Sequence, residues 1–410
     1  KGHSDVNFSA ATEARTALVQ FGKDNIVDAT LGVVKNEEAD FATLPTVEKC
    51  YRNMPGNELM DYAPISGLDD FLSGAVEFAF QGHQPKGTQT AAIATPGGTG
   101  AIHHVIYNYV DRGDKFLIPY LHWDPYTEMG IEMGDVAERY HMFGPDNQFS
   151  LVDLKEKAEE ALKTQKNLLT IFNTPAHNPS GYNMSNEDWK EITDFFRGCA
   201  EDKSKRIIVL WDMAYTDYAG DKDEVRDFLK YFNDMPENML LLVAFSMSKS
   251  FLIYGMRSGA LICVSTVPEV VDEFKTMNAF SNRATWSNGS RGAQKLLAMT
   301  MADSQLKAAI DKEREYYKSL IEKRAQIFLE EAKEVELRIL PYKAGFFITV
   351  PAKDTVGLSQ KLIEKKIYTI PLNDGLRFAI SAVPTGKISG LAKAVKEVFA
   401  GHEPDPDAKF

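Results

Sequence analysis

Between residues 90 and 264 the chain repeats one pattern: an apolar run of strand length, a polar or glycine-rich turn, then an amphipathic segment of helical length. Runs at 90–94, 115–119, 139–143, 168–172, 206–211, 239–244 and 259–264 are short and bounded by turn formers, which reads as buried strands. Helical patterns at 101–110, 126–133, 152–163 and 187–199 alternate with them. Units of this kind predict an α/β fold with a mainly parallel central sheet. Ligands of such a sheet collect beyond the carboxyl ends of its strands. The turns at those ends hold Gly98, Asn178, Asp212 and Lys249.

The flanks read differently. A helical pattern at 10–21 and a β-prone stretch at 26–34 around Gly32 precede Pro45, which is suited to open a helix because the first helical amide needs no partner. Helical patterns at 267–280 and 287–301 lead into a long charged helix at 304–334. Strand-like runs at 346–350 and 376–380, with helices at 358–365 and 388–399, then make a compact α+β tail. We expect a large domain over 45–310 and a smaller α+β domain built from both termini, 1–44 and 311–410. Residues 403–410 are expected to fray.

Composition narrows the function. A net charge of −12 over 410 residues, with no basic block, argues against nucleic-acid and acidic-membrane partners. Cys50, Cys199 and Cys263 show no paired metal spacing, so no metal site is expected and a reduced, cytoplasmic setting is. No apolar run reaches membrane-spanning length, and Lys1-Gly2-His3-Ser4-Asp5 lacks a secretory pattern.

Each turn has its own chemistry. In Ser246-Met247-Ser248-Lys249, an amine at the mouth of a buried strand can be partly desolvated, which lowers its pKa and suits it to bond a carbonyl carbon. Arg257 supplies a permanent planar cation for an anionic group. The turn Pro96-Gly97-Gly98-Thr99-Gly100 feeds a helix whose first amides and dipole form an anion site. His103 and His104 behind it read as helix-surface or core residues. Taken singly, each of these is more often an ordinary loop, cap or core residue; it is their company that argues for a site.

In order and spacing these turns resemble the class I aminotransferases of the aspartate aminotransferase family, which use pyridoxal phosphate (PLP) on the fold-type I scaffold. The resemblance runs from about Gly32 to Arg377. It implies that Lys249 is the Schiff-base lysine and that Asp212, in Trp-Asp-Met-Ala-Tyr, faces the pyridine nitrogen. Asn178, in His-Asn-Pro-Ser-Gly, and Tyr215 would donate to the cofactor's phenolate oxygen. Gly98, Thr99, Ser246, Ser248 and Arg257 would form the phosphate cup, and Trp123 would stack on the ring. Arg377, in Gly-Leu-Arg-Phe, would clamp the substrate α-carboxylate, with Gly32 and Asn178 beside it. Tyr62 would reach the phosphate of a neighbouring subunit, implying a homodimer with shared active sites.

The resemblance implies amino-group transfer between an L-amino acid and a 2-oxo acid. Arg283 sits where the family's side-chain carboxylate arginine is found, supplied across the dimer. This favours dicarboxylates, although aromatic-specific relatives keep the same arginine, and Phe346 and Phe347 offer an aromatic wall. Two departures stand out: Tyr126 replaces the usual histidine behind the aspartate, and Thr216 stands where glutamine is common. The alternatives are another fold-type I PLP enzyme, such as a C–S β-lyase, and a non-catalytic PLP-binding protein.

Overall fold

The computed structural model describes residues 6–410. Lys1 to Asp5, the stretch read as lacking a secretory pattern, and the start of the segment 1–44 lie outside the described residues. A seven-stranded sheet organises the chain. Its strands are β1 (Gln89–Thr95), β2 (Lys115–Pro119), β3 (Val136–Tyr140), β4 (Asn167–Phe172), β5 (Arg206–Asp212), β6 (Met239–Ser246) and β7 (Gly259–Ser265). The spatial order is β1-β7-β6-β5-β4-β2-β3.

All pairings are parallel except those of β7, which runs against both β6 and β1. The inversion matters for the site. Because β7 is reversed, its first residue Gly259 pairs with the last residues of its neighbours, Thr95 and Ser246. Arg257, just ahead of β7, is thereby delivered to the same sheet edge as the turns that follow β1, β5 and β6. Gly259 is required there: a Cβ would stand 2.3 Å from the Phe245 carbonyl oxygen.

Helices cover both faces, so the inner strands bury every side chain but those of their first residues Lys115, Asn167 and Arg206. Along β6, Leu241, Val243 and Phe245 join one apolar cluster while Leu240, Leu242 and Ala244 join another on the opposite face. The continuous apolar run is the consequence of that two-sided burial.

The third strand starts three residues earlier than its apolar pattern suggests. Gly134, at φ 82°, ends the preceding helix Pro125–Met133 abruptly, and β3 begins almost at once. Beyond Tyr140 the chain leaves the sheet, and Phe143 bridges to Phe149 instead. Phe143 also exchanges two backbone hydrogen bonds with Phe410, at 2.6 and 2.9 Å. The expected fraying of 403–410 is therefore corrected. Phe410 is buried at 1% exposure, and burying such a ring contributes about 1.5–3 kcal/mol.

The remainder forms an α+β region. Gly375–Ala379 lies between Ile370–Leu372 and Phe347–Pro351 in an antiparallel sheet, and Val27–Asp28 pairs in parallel with Ile367–Tyr368. The helix Ser304–Glu334, 31 residues long, runs from the large sheet's helical layer to this region. Among the described residues no helix is long and apolar enough to cross a membrane.

Candidate active site

The carboxyl edge of the large sheet opens into a cavity of about 210 Å³. Gly98, Thr99, Trp123, Asn178, Asp212, Tyr215, Ser246, Ser248, Lys249 and Arg257 all line it. Three further lining residues, Ile102, Asn173 and Ala214, were not singled out in the sequence.

One end is built for an anion. The helix Gly97–Tyr109 begins at this edge with no side chain capping its first amides. Arg257 adopts φ 49° and donates to the Thr99 hydroxyl and the Pro96 carbonyl at 3.3 Å each, and to Ser248 Oγ at 3.2 Å. At position 98 a Cβ would crowd the Ser246 Cβ at 3.3 Å and narrow the cradle, which glycine leaves open. Ser246 caps the single turn Met247–Ser250, accepting from the Ser248 amide at 3.3 Å.

That turn presents Lys249. Its Nζ lies 5.4 Å from the Tyr215 ring centre and 5.7 Å from that of Tyr254. Burial draws the amine down to about 8; the Asp212 charge opposes the shift, and the Arg257 and Arg377 cations reinforce it. A fraction of the amine is thus neutral and nucleophilic near pH 7–8.

The opposite end holds Asp212, 4% exposed. Burial pushes its carboxyl upward, while the Tyr126 hydroxyl, the Ala214 amide and the Lys249 charge pull it down. Tyr126 donates to Asp212 Oδ2 at 2.5 Å, and Ala214 N–H to Oδ1 at 3.1 Å. Asn173, at the end of β4, donates to the Asp212 carbonyl and accepts from the Asn178 amide. Trp123 packs edge-on against Tyr126, with ring centres 5.5 Å apart.

Arg377 enters from the small sheet. It is 8% exposed, donates to Asn178 Oδ1 at 3.1 Å and to the Thr30 carbonyl at 3.0 Å, and lies 4.6 Å from the Phe347 ring centre. Tyr215 is edge-on to both Phe346 and Phe347, at 5.1 and 5.5 Å. Burial raises its phenol pKa, against which the Arg377 cation acts. Gly32 packs on Phe347 so closely that a Cβ would lie 2.4 Å from the ring.

Two expected residues stand apart within this chain. Tyr62 is 81% exposed, and Arg283 is exposed on the end of helix Pro268–Thr285, bonded to Ser287 at 2.6 Å. His104 is a buried core residue, bonded to Asn282 and stacked on Trp286 at 4.4 Å. Tyr254, which neighbours Lys249 and accepts from the Val34 amide at 3.1 Å, was hidden in the sequence by its apolar neighbours. Among the described residues no group of three His, Cys, Asp or Glu side chains is arranged to hold a metal.

The donor set fits PLP: an anion cup, a carboxylate and a carbonyl-reactive amine share one cavity. A family profile described as aminotransferase class I and II matches residues 27–395. A crystal structure of an aminotransferase from Anaerococcus prevotii is 33% identical, covers 98% of this chain and 97% of its own, and superposes with a TM-score of 0.95. The mitochondrial aspartate aminotransferase of Arabidopsis thaliana is 21% identical over 91% of this chain and 85% of its own length. An aromatic-amino-acid aminotransferase from Burkholderia pseudomallei, solved covalently bound to pyridoxal phosphate, shares the fold with a TM-score of 0.80 at 17% identity, covering 97% of this chain and 98% of its own. With a profile match over residues 27–395 and an aminotransferase structure 33% identical over 98% of its length, the chain belongs to the class I and II aminotransferases, PLP-dependent enzymes that move an amino group between an amino acid and a 2-oxo acid.

Proposed function

We propose that Lys249, Asp212 and Tyr215 are the catalytic residues of this aminotransferase, and that Lys249 is the one bonded to the cofactor. The observation that carries this is the meeting of a depressed amine, a buried carboxylate and an arginine-lined anion cup in one cavity. Bound PLP supplies an electron-accepting ring and a reactive aldehyde. Lys249 Nζ would hold the cofactor through its aldehyde carbon, and as a free amine it would be placed to take the substrate Cα proton and return it. Asp212 would keep a proton on the ring nitrogen, with Tyr126 and the Ala214 amide aiming its carboxylate. Asn178 and Tyr215 would hold the phenolate oxygen, Trp123 would pack on the ring, and Gly98, Thr99, Ser246, Ser248 and Arg257 would hold the phosphate.

Arg377 grips the substrate α-carboxylate, with Gly32 and Asn178 at its side. Aspartate, glutamate or an aromatic amino acid is the amino donor, in line with the names of the relatives. Arg283 and Tyr62 act across a homodimer, each completing the site of a second copy. The exposure of Met60 (86%), Tyr62 (81%) and Phe280 (74%) supports an interface there. We assign a large domain to 45–310 and a small one to 1–44 with 311–410. The unpaired thiols Cys50, Cys199 and Cys263 favour a cytoplasmic setting.

The test is a visible spectrum of the purified protein with PLP, then with single amino acids added. The absorbance of the lysine-bound cofactor should be replaced by that of its amine form with aspartate, glutamate or an aromatic amino acid. No change with any amino acid overturns the reading.

A further inference from the structure

A charged side chain leaves water only where partners replace its hydration, so a fully buried arginine marks something held in place. Helix Ser304–Glu334 carries two, Arg314 at 7% and Arg324 at 0% exposure. They are ten residues apart, about 15 Å along the axis.

Arg314 holds the lysine turn. Its Nε donates to the Ser250 carbonyl at 2.6 Å, immediately after Lys249, and Nη1 pairs with Asp311 at 2.7 Å. Its guanidinium is 5.5 Å from the Phe78 ring centre and 5.6 Å from that of Phe251. A cation is thereby placed at the carboxyl end of the one-turn helix Met247–Ser250, where free carbonyls and the dipole favour it.

Arg324 holds the other half. Its Nη1 donates to the carbonyls of Lys35 and Ser381 at 3.0 and 2.8 Å, and Nη2 to Glu37 Oε1 at 2.8 Å. Glu37 in turn accepts from the Thr385 amide and hydroxyl at 3.0 and 2.9 Å. Ser381 follows the strand that bears Arg377, and Lys35 ends the stretch in which Thr30 accepts from Arg377. One guanidinium thus ties together the two chain segments that aim Arg377.

We propose that Arg314 and Arg324 are positioning residues, and that the helix they share is the spacer setting Lys249 against Arg377. This rests on the assignment of Lys249 to the amine and Arg377 to the carboxylate. The two arginines therefore act on different kinetic quantities. Loosening the Ser250 carbonyl misplaces the amine that moves the proton, so Arg314 acts on kcat. Freeing Lys35 and Ser381 misplaces the carboxylate clamp, so Arg324 acts on KM.

The experiment compares Arg314→Met and Arg324→Met with wild-type holoenzyme, counting active sites by bound PLP. Arg314→Met is expected to lower kcat about 10- to 100-fold with KM nearly unchanged, the scale of a 1 Å misplacement. Arg324→Met is expected to raise KM for the amino acid about tenfold with kcat nearly unchanged. A second readout needs no cofactor: the pH dependence of reductive methylation at Lys249, followed by peptide mass. Its midpoint should rise from about 8 toward 10.5 in Arg314→Met as water reaches the amine, and move far less in Arg324→Met, which shifts only the Arg377 cation, the smallest of the influences on the amine. The amine faces Asp212, Arg257, Arg377 and the rings of Tyr215 and Tyr254; neither variant removes any of them, and only Arg324→Met is expected to displace one, Arg377. Arg314→Gln and Arg324→Lys, which keep a donor in place, should show the same split at smaller amplitude and decide the matter if the Met variants do not fold. Equal effects of both arginines on kcat and KM, or lowered melting temperature alone, overturn the spacer. Lys249→Ala and Arg377→Leu serve as controls: if they leave covalent capture and KM untouched, the underlying assignment fails, whereas responsive controls beside silent arginine variants reject only the spacer.

Discussion

Tyr126→Phe isolates one hydrogen bond. The phenol is buried at 1% exposure and gives its proton to Asp212 Oδ2 at 2.5 Å. Phenylalanine keeps the ring and its edge-on contact with Trp123, so packing is preserved. A buried hydrogen bond to a charged acceptor is worth about 1.5–3 kcal/mol. The Ala214 amide, at 3.1 Å, still holds the other carboxylate oxygen, so the carboxylate turns but is not released. If the whole term is felt in the transition state, kcat falls about 10- to 100-fold. The sign of the pH effect follows from the partners. Burial raises the Asp212 pKa and the Tyr126 bond lowers it, so deleting the bond raises it further. The acid limb of the rate profile should then move to higher pH. The assay is the single-turnover spectral change of PLP-loaded enzyme with amino acid, measured across pH. A rate within twofold of wild type with an unmoved acid limb would refute the reasoning.

Asp212→Asn should retain PLP, through the anion cup and Lys249, yet slow the single-turnover half-reaction about 100- to 1,000-fold, because the lost charge acts where the transition state needs it; absorbance reports both. Arg283→Leu should raise KM for aspartate about tenfold or more relative to phenylalanine, and equal losses would remove Arg283 from side-chain recognition. Lys249→Met should stabilise the cofactor-free protein by about 3 kcal/mol at pH 7, because burial depresses the wild-type amine from 10.5 to about 8. Below that value the folded state carries a disfavoured charge; between about 8 and 10.5 the unfolded chain binds more protons, so wild-type stability rises with pH and the gap to Lys249→Met closes. Urea unfolding at a series of pH values measures it.

The turns after the strands were legible because a parallel sheet sends successive strand ends to one edge, so Gly98, Asn178, Asp212 and Lys249 could be placed together from strand-length runs alone. The reversal of β7 was not, since a run buried on both faces looks the same in either direction; only the structure shows why Arg257 reaches that edge. Contacts closed over long sequence separations leave no local pattern: that of Arg377 with Thr30 was silent, and that of Arg377 with Asn178 was expected only through the resemblance. The same holds for Phe410, whose docking on Phe143 depends on a partner 267 positions away that no local pattern marks. Arg314 and Arg324 were invisible within a helix of mixed charge, where a buried cation and a solvated one obey the same spacing. Tyr126 was noticed as a replacement, but its bond to Asp212 needed β5 and the helix Pro125–Met133 in place.

The central claim is that Lys249 bonds the cofactor, and borohydride reduction of the PLP-loaded protein followed by peptide mapping tests it most directly. The account predicts one phosphopyridoxyl group per chain, on the peptide containing Ser246-Met247-Ser248-Lys249, and none after Lys249→Ala. Label on a different lysine, or equal labelling of the Lys249→Ala protein, would contradict it.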